Sequence, residues 1–360
     1  MLDELLGRRV ALRHRIAPDG APGPRFTDAV GNLTSEEPGT VTVHTRTGPV
    51  RVARDAIVAV REVPPAPARR ASRAAVAELE RVRAAAWPAP VREDLGGWVL
   101  RAAGGWTKRA NSALALGDPG MPVEQALARV QAFAAAHGIA PRVQAPVGSP
   151  WSNRVLDAGW QVLPAGDGES LVLVTGVEPV VAAPDWPARP TAAWWAVTGE
   201  GPFPAGSPAL AVLTGDGPFG VAPPGEQSNA ASPVRPREQS KAARAGAPAR
   251  PGEQSRGVPE VVGFGVLDDP EEGPVAAVRA AVVGDHVHFG RLTVLPRFRR
   301  RGLATRLTRA ALAWAAARGA RHAVVEVATG NPGGRALYAR EGWSEHHRSH
   351  YLVPGRTEPG

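Results

Sequence analysis

The chain has 360 residues, 43% of them hydrophobic and 21% charged, with a formal charge of +8 and no cysteine. The missing cysteines exclude disulfides, thiolate metal sites and a cysteine-linked acyl-enzyme, and they suit a reducing compartment. No apolar run approaches the ~20 residues needed to cross a bilayer, and the opening "MLDELLGRRV" lacks a signal-peptide core, so a cytoplasmic protein without membrane contact is expected.

Residues 1–63 read as a small β-domain. Val41, Val43 and Thr45 alternate, as do Val50 and Val52, with Gly48-Pro49 as a tight turn. Short strands at this spacing predict an SH3-like barrel, and "VPPAPARR" after it reads as a linker. From Ala71 the pattern becomes mixed. A helix over 74–87 is followed by strands in "GGWVLRAAGG" and "KRANSALALG", and Pro122 opens a helix that ends before Gly138. A strand in "APRVQAPV", a short helix in "SPWSNRVLDAG" and strands in "WQVL" and "ESLVLV" complete this part. The stretch at about 223–259 is low in complexity and repeats EQS at Glu226, Glu238 and Glu253, a composition too polar to offset ordering entropy, so disorder is expected. Beyond it come three strands, "EVVGFGVLD", "AAVRAAVV" and "HVHFGRLTVLP". A helix from Leu303 follows, with Leu303, Leu307, Ala310, Ala311 and Trp314 on its apolar face; then a strand in "HAVVEVAT", a short helix from Asn331-Pro332, and one or two closing strands.

The positive charge is local. Between Asp285 and Tyr351 twelve arginines face four acids, which accounts for the whole formal excess. Its densest part, Arg297, Arg299, Arg300 and Arg301, runs straight into Gly302. A strand, a glycine loop and a helix N-terminus together suit an anion, because the first N–H groups of a helix have no internal partner and the dipole end is positive. Gly302 lets the backbone approach a diphosphate, and Ala304 keeps the next turn small. No G-x-x-x-x-G-K-[ST] exists, so nucleotide hydrolysis lacks support. Phe298 is the one aromatic among these arginines, so base stacking is unsupported and nucleic acid is not expected as a partner.

"RRRGLA", Arg299 to Ala304, resembles the acetyl-CoA signature [RQ]-x-x-G-x-[GA] of the GNAT N-acetyltransferase superfamily. "NPGGRALYAREGW" is similar to a second element of that family, with Asn331, Ala336, Leu337, Tyr338 and Gly342 in place about 30 residues after Gly302. The resemblance covers about 261–353. It implies that acetyl-CoA is co-substrate and no metal is used. The backbone of Leu292, Thr293 and Val294 would pair with the pantetheine arm. The N–H groups of Arg301, Gly302, Leu303, Ala304 and Thr305, with the charge of Arg299 and Arg300, would hold the pyrophosphate. Asn331 would touch the pantetheine, and Tyr338 would be the general acid that protonates the departing thiolate. His288, on a strand where His286, His288, Leu292 and Val294 are expected to share one face, and Glu326 on the next strand are the candidates for general base. His346, His347 and His350 in "HHRSH" read as solvated edge residues or pocket lining rather than metal ligands.

The order of elements over 71–176 also resembles a GNAT core, and "NRVLDAGW" parallels "GRALYAREGW". It lacks the basic loop, and Asp157 falls near the tyrosine position, which implies a degenerate repeat that does not bind CoA. "GGWTKRANSAL" could face a substrate there; Trp186, Trp194 and Trp195 either line an acceptor pocket or pack in the core. The expected architecture is therefore an SH3-like barrel at 1–63, a degenerate GNAT-like domain at 71–176, and a catalytic α/β (α+β) GNAT domain at 185–353. Its mixed central sheet is flanked by helices. The expected activity is direct acetyl transfer from acetyl-CoA to a primary amine, on a small molecule or a peptide. A non-catalytic acetyl-CoA sensor is the alternative. The tandem repeat can stand in for a homodimer, and the oligomeric state is open.

Overall fold

The computed structural model describes residues 5, 7–16, 25–37, 39–45, 48–63, 71–164, 168–216, 220–221 and 258–355. Most of the linker and nearly all of the EQS-containing stretch at about 223–259 lie outside them. The chain divides into two compact units, Met1–Arg69 and Arg70–Gly360.

The first unit is an antiparallel sheet of β1 (Arg9–Arg15), β2 (Phe26–Glu37), β3 (Thr40–Thr45), β4 (Gly48–Ala53) and β5 (Ile57–Glu62), in the order β4-β3-β2-β1-β5. Period-2 alternation sends Val10 and Leu12 of β1 inward, where they meet Leu33, Val41, Val43 and Val52.

The second unit is built on one sheet to which both halves of the chain contribute. Its first half comprises α1 (Arg73–Ala86), β6 (Val91–Leu95), β7 (Trp98–Ala102), β8 (Ala113–Ala115), α2 (Val123–Ala136), β9 (Val143–Pro146), α3 (Pro150–Asp157), β10 (Trp160–Val162) and β11 (Glu169–Gly176). The second half comprises α4 (Ala192–Thr198), α5 (Pro208–Thr214), β12 (Gly220–Val221), β13 (Val261–Asp269), β14 (Gly273–Val283), β15 (His286–Val294), α6 (Leu303–Ala316), β16 (His322–Ala328), α7 (Pro332–Arg340) and β17 (Ser344–Pro354). The strand order is β12-β6-β7-β8-β9-β17-β11-β16-β15-β14-β13, with β10 pairing off β17. The halves interleave. The last strand, β17, lies between β9 and β11 of the first half, and β11 lies between β17 and β16 of the second.

Helices cover both faces. The apolar stripe expected on α6 is observed as Leu307, Ala311 and Trp314 packed on Val278, Ala280, Val287 and Phe289. Across the sheet, Trp194 and Val197 of α4 and Ala85 and Ala86 of α1 pack on Ala277, Ala281 and Phe264. Gly263 and Gly265 of β13 let two stacked indoles approach the strand: a Cβ at either position would lie 2.4 Å from the Trp314 or Trp186 ring. Trp194 is wholly buried, and neither it, Trp186 nor Trp195 reaches the cavity described below. Among the described residues no helix is long and apolar enough to cross a membrane.

Candidate active site

Two strands part to form the site. β15 and β16 run parallel, and their register joins His286–Phe289 to His322–Val325 and stops there. β15 then bulges. Gly290 pairs with Arg279 but Thr293 pairs with Ala277, so three steps on β15 match two on β14, and Arg291 sits at φ 60°. Gly290 suits this point because a Cβ there would press on the Trp87 ring at 3.2 Å. The bulge corrects one expectation. It reverses the alternation, so Leu292 and Val294 share a face with Phe289 and pack into the α6-side core, away from the face of His286 and His288.

At the end of β15 the chain turns through Arg297–Arg301 into α6. Gly302 caps the helix at φ 77° with no side-chain hydrogen bond, and a Cβ there would meet nothing within 4 Å. The first intrahelical bond runs from Arg306 N–H to the Gly302 carbonyl, and no acidic side chain lies in the first turn. Leu303, Ala304 and Thr305 therefore present N–H groups at a positive helix end. The arginines are less uniform than their run implies. Arg297 pairs with Glu272 at 2.5 Å, Arg299 donates Nε–H to the Val294 carbonyl at 3.1 Å, and Arg297 and Arg301 both lie 5.0 Å from the centre of the buried Phe298 ring. Asn331 is exposed and caps α7, accepting from Gly334 N–H at 2.9 Å. Arg340 of α7 reaches the Thr305 hydroxyl at 3.4 Å, tying the two helices together.

Where the strands part, a cavity of about 260 Å³ opens beside Trp87, Thr107, Lys108, Arg109, Ser170, His288, Gly290, Arg291, Glu326 and Tyr351. His288 and Glu326, the two base candidates, are brought together here. Tyr338 is not in its wall: it is 4% exposed, its ring stands edge-on to Trp343 at 5.1 Å, and burial pushes its phenol upward. The loop carrying Thr107–Arg109 is held by Asn111, which is fully buried. The Asn111 side chain accepts from Ala103 and Gly105 N–H and donates to the Trp106 and Thr107 carbonyls, all within 2.7–2.9 Å. Thr107 Oγ1 accepts from the Trp87 indole at 3.1 Å, and Trp87 stacks on Trp106 at 5.6 Å.

Charge is crowded behind the cavity. Glu326 takes ion pairs from both Arg83 and Arg109, and Arg83 also pairs with Glu80. Glu80 accepts from Gln144 Nε2 at 3.2 Å and meets His347 Nε2 at 2.7 Å. Burial alone would raise the Glu80 carboxyl, but Arg83 and His347 bring it down to about 2. His288 is 1% exposed; burial, then Arg109, Arg83 and Arg279, hold it well below its ordinary value, so it is neutral. Arg109 Nη1 lies 2.9 Å from His288 Nε2. An arginine can only donate, so Nε2 is the lone-pair nitrogen and Nδ1 carries the proton.

Sequence reading missed Glu80, Arg83, Trp87 and Tyr351; it did single out the segment holding Lys108 and Arg109. The HHRSH histidines are not solvated edge residues throughout. His347 is buried against Glu80, and His350 is 4% exposed with Nε2 2.8 Å from Ser152 Oγ. Among the described residues no group of three or more His, Asp or Glu could hold a metal.

Known families account for most of the chain. Residues 236–343 match the model described as the Acetyltransferase (GNAT) family. Ahead of this match, residues 5–61 match the Rv0428c N-terminal Sm-like domain, where an SH3-like barrel was expected, and residues 73–232 match the model "Probable histone acetyltransferase Rv0428c C-terminal". A curated relative, "Probable histone acetyltransferase Rv0428c" of Mycobacterium tuberculosis (strain ATCC 25618 / H37Rv), is 46% identical over 112 residues, 31% of this chain and 35% of the relative. The matched part thus spans about a third of that relative's length. Similar solved structures include a GCN5-related N-acetyltransferase from Kribbella flavida (17% identity, 79% of this chain and 96% of that one, TM-score 0.45). A tandem GNAT protein from the clavulanic acid biosynthesis pathway is also similar (13% identity, 69% and 76%, TM-score 0.42).

Proposed function

We propose that the chain is an acetyl-CoA-dependent N-acetyltransferase that acts on a primary amine by direct transfer. The observation that carries this is the continuity of three features. The N-terminus of α6, where Gly302 offers no side-chain cap, the parting of β15 from β16 after Phe289, and the cavity at His288 follow one another along β15 and the turn that leaves it, with Glu326 of β16 facing the same cavity. The residues fit acetyl-CoA. The N–H groups of Leu303–Thr305 and the nearby arginines would hold the pyrophosphate, and Gly302 leaves the space above them open. The β15 edge at Leu292–Val294, released from β16, would take the pantetheine as an added strand, with Asn331 alongside.

The thioester supplies an activated acetyl group. The acceptor nitrogen forms the new C–N bond and loses one proton, the C–S bond breaks, and the sulfur gains one proton. Neutral His288 would take the amine proton, directly or through water, once Arg109 yields its Nε2. Glu326, clamped by two guanidiniums, would chiefly hold Arg109 in place. Tyr338 keeps its proton well above neutral pH and would return it to the thiolate side. In this reading 185–353 is the catalytic domain, and 71–176 is a degenerate repeat that contributes Trp87 and Arg109 to the acceptor side.

Acetyl-CoA should raise the melting temperature of the wild type. Gly302→Glu puts a strained carboxylate at the diphosphate site, so it should abolish that shift and the release of free CoA with amine acceptors. A shift of unchanged size in the variant would sink this reading.

A further inference from the structure

The cavity is surrounded by more positive charge than its carboxylates can neutralise. Lys108, Arg109 and Arg291 are in its wall. Arg83, Arg101 and Arg279 lie behind it, all at most 2% exposed. Among the described residues three acids stand against the five arginines. Glu326 and Glu80 are taken up by Arg83 and Arg109, and Glu200 by Arg291. Arg101 donates to neutral Ser112 and Gln144. Arg279 donates Nε–H to the Leu213 carbonyl at 2.6 Å and lies 4.5 Å from the centre of the Trp87 ring, while its two terminal nitrogens are buried with no hydrogen-bond partner among the described residues. Burial lowers Arg279 to about 9 and Arg101 to about 10, so both are charged at neutral pH. A buried guanidinium without a counter-charge is costly, and its field reaches the cavity, since Arg279 helps suppress the charge on His288.

We propose that the acetyl acceptor is a small amine carrying its own anionic group, a carboxylate or phosphate, which supplies the negative charge this cavity lacks. The inference rests on the acetyl-transfer reading and names its substrate class. A cavity of about 260 Å³ holds a molecule of amino-acid size. Trp87 and Tyr351 offer aromatic walls to its body, and Lys108, whose Nζ lies 5.7 Å from the Tyr351 ring centre, stands beside them. The lysine side chain of a basic protein would instead bring a cation, with further cations behind it, against this wall.

The test measures free CoA released with matched acceptors. These are L-phenylalanine against L-phenylalaninamide, O-phosphoethanolamine against ethanolamine, and a lysine-rich peptide. The anionic member of at least one pair should have a KM lower by about tenfold or more, and which pair responds separates carboxylate from phosphate. Lys108→Glu should reverse the preference. Arg279→Met should weaken it while raising the melting temperature of the ligand-free protein, an outcome that a purely structural arginine would not give. Preference for the neutral amines or the peptide overturns the inference and leaves acetyl transfer standing. If no amine releases CoA, calorimetric titration of the same compounds reads the cavity directly. Selective binding of the anionic members keeps the inference while acetyl transfer fails, and equal or absent binding overturns it.

Discussion

Glu80 allows a quantitative test of the charge network behind the site. It is 1% exposed on α1, held by Arg83, Gln144 and His347. Its carboxyl falls from 4.5 to about 2, a gap of roughly 2.5, and each unit is worth about 1.4 kcal/mol, so its charged form contributes roughly 3 kcal/mol to stability. The folded-state value is depressed, so this contribution is complete above pH 4.5 and is lost as pH falls from about 4.5 toward 2. Glu80→Gln keeps the shape and removes the charge, leaving Arg83 half-paired. Breaking one side of a buried pair costs about 3–5 kcal/mol, in line with the first figure. All ten tryptophans lie beyond residue 70, so indole fluorescence during urea unfolding reports on the second unit alone. The variant should lose roughly 3 kcal/mol at pH 7, and the gap to wild type should close as pH drops below 4.5. A loss under about 1 kcal/mol at pH 7, or a deficit that persists unchanged to pH 3, would refute the reasoning.

Asn111→Ala removes all four bonds that shape the 103–111 loop, and leaving four backbone groups, that of Ala103 buried, without their side-chain partner should cost about 2–4 kcal/mol. With Arg109 displaced, KM for the acceptor should rise while acetyl-CoA affinity, read by its thermal shift, stays put. Tyr338→Phe retains the packing on Trp343 and should leave stability within about 1 kcal/mol. If Tyr338 is the acid, kcat should fall about a hundredfold or more at unchanged KM for acetyl-CoA; an unaltered kcat would reduce it to a packing residue.

Much of this architecture was legible because local periodicity reports burial. The stripe Leu303, Leu307, Ala311 and Trp314 predicts α6 and the face it buries, and Asn331-Pro332 marks the start of α7. What stayed hidden depends on neighbours that no local pattern encodes. Nothing in "ESLVLV" says that β11 will lie between two strands of the other half. Glu80 and Arg83, three apart on a helix, look like a solvated surface pair until β17 and β16 close over them. Gly290, a lone glycine inside a strand pattern, was the available signal of the bulge that re-aims Leu292 and Val294.

Net charge misleads here for the same reason. Counting places the whole formal excess between Asp285 and Tyr351, with its densest point at Arg297–Arg301. Yet Arg297 has Glu272, Arg299 has the Val294 carbonyl, and Arg297 and Arg301 lie against the Phe298 ring. Five of the six cations around the cavity come from elsewhere. Arg83, Arg101, Lys108, Arg109 and Arg279 belong to stretches whose sum is near zero. Solvent screens an exposed charge, whereas a buried one without a partner acts at close range in a low dielectric. If the acceptor is the anionic amine proposed above, the field that selects it is set by Arg279 and its neighbours rather than by the arginine run that dominates the sequence, and Arg279→Met should change acceptor choice more than any single substitution in that run.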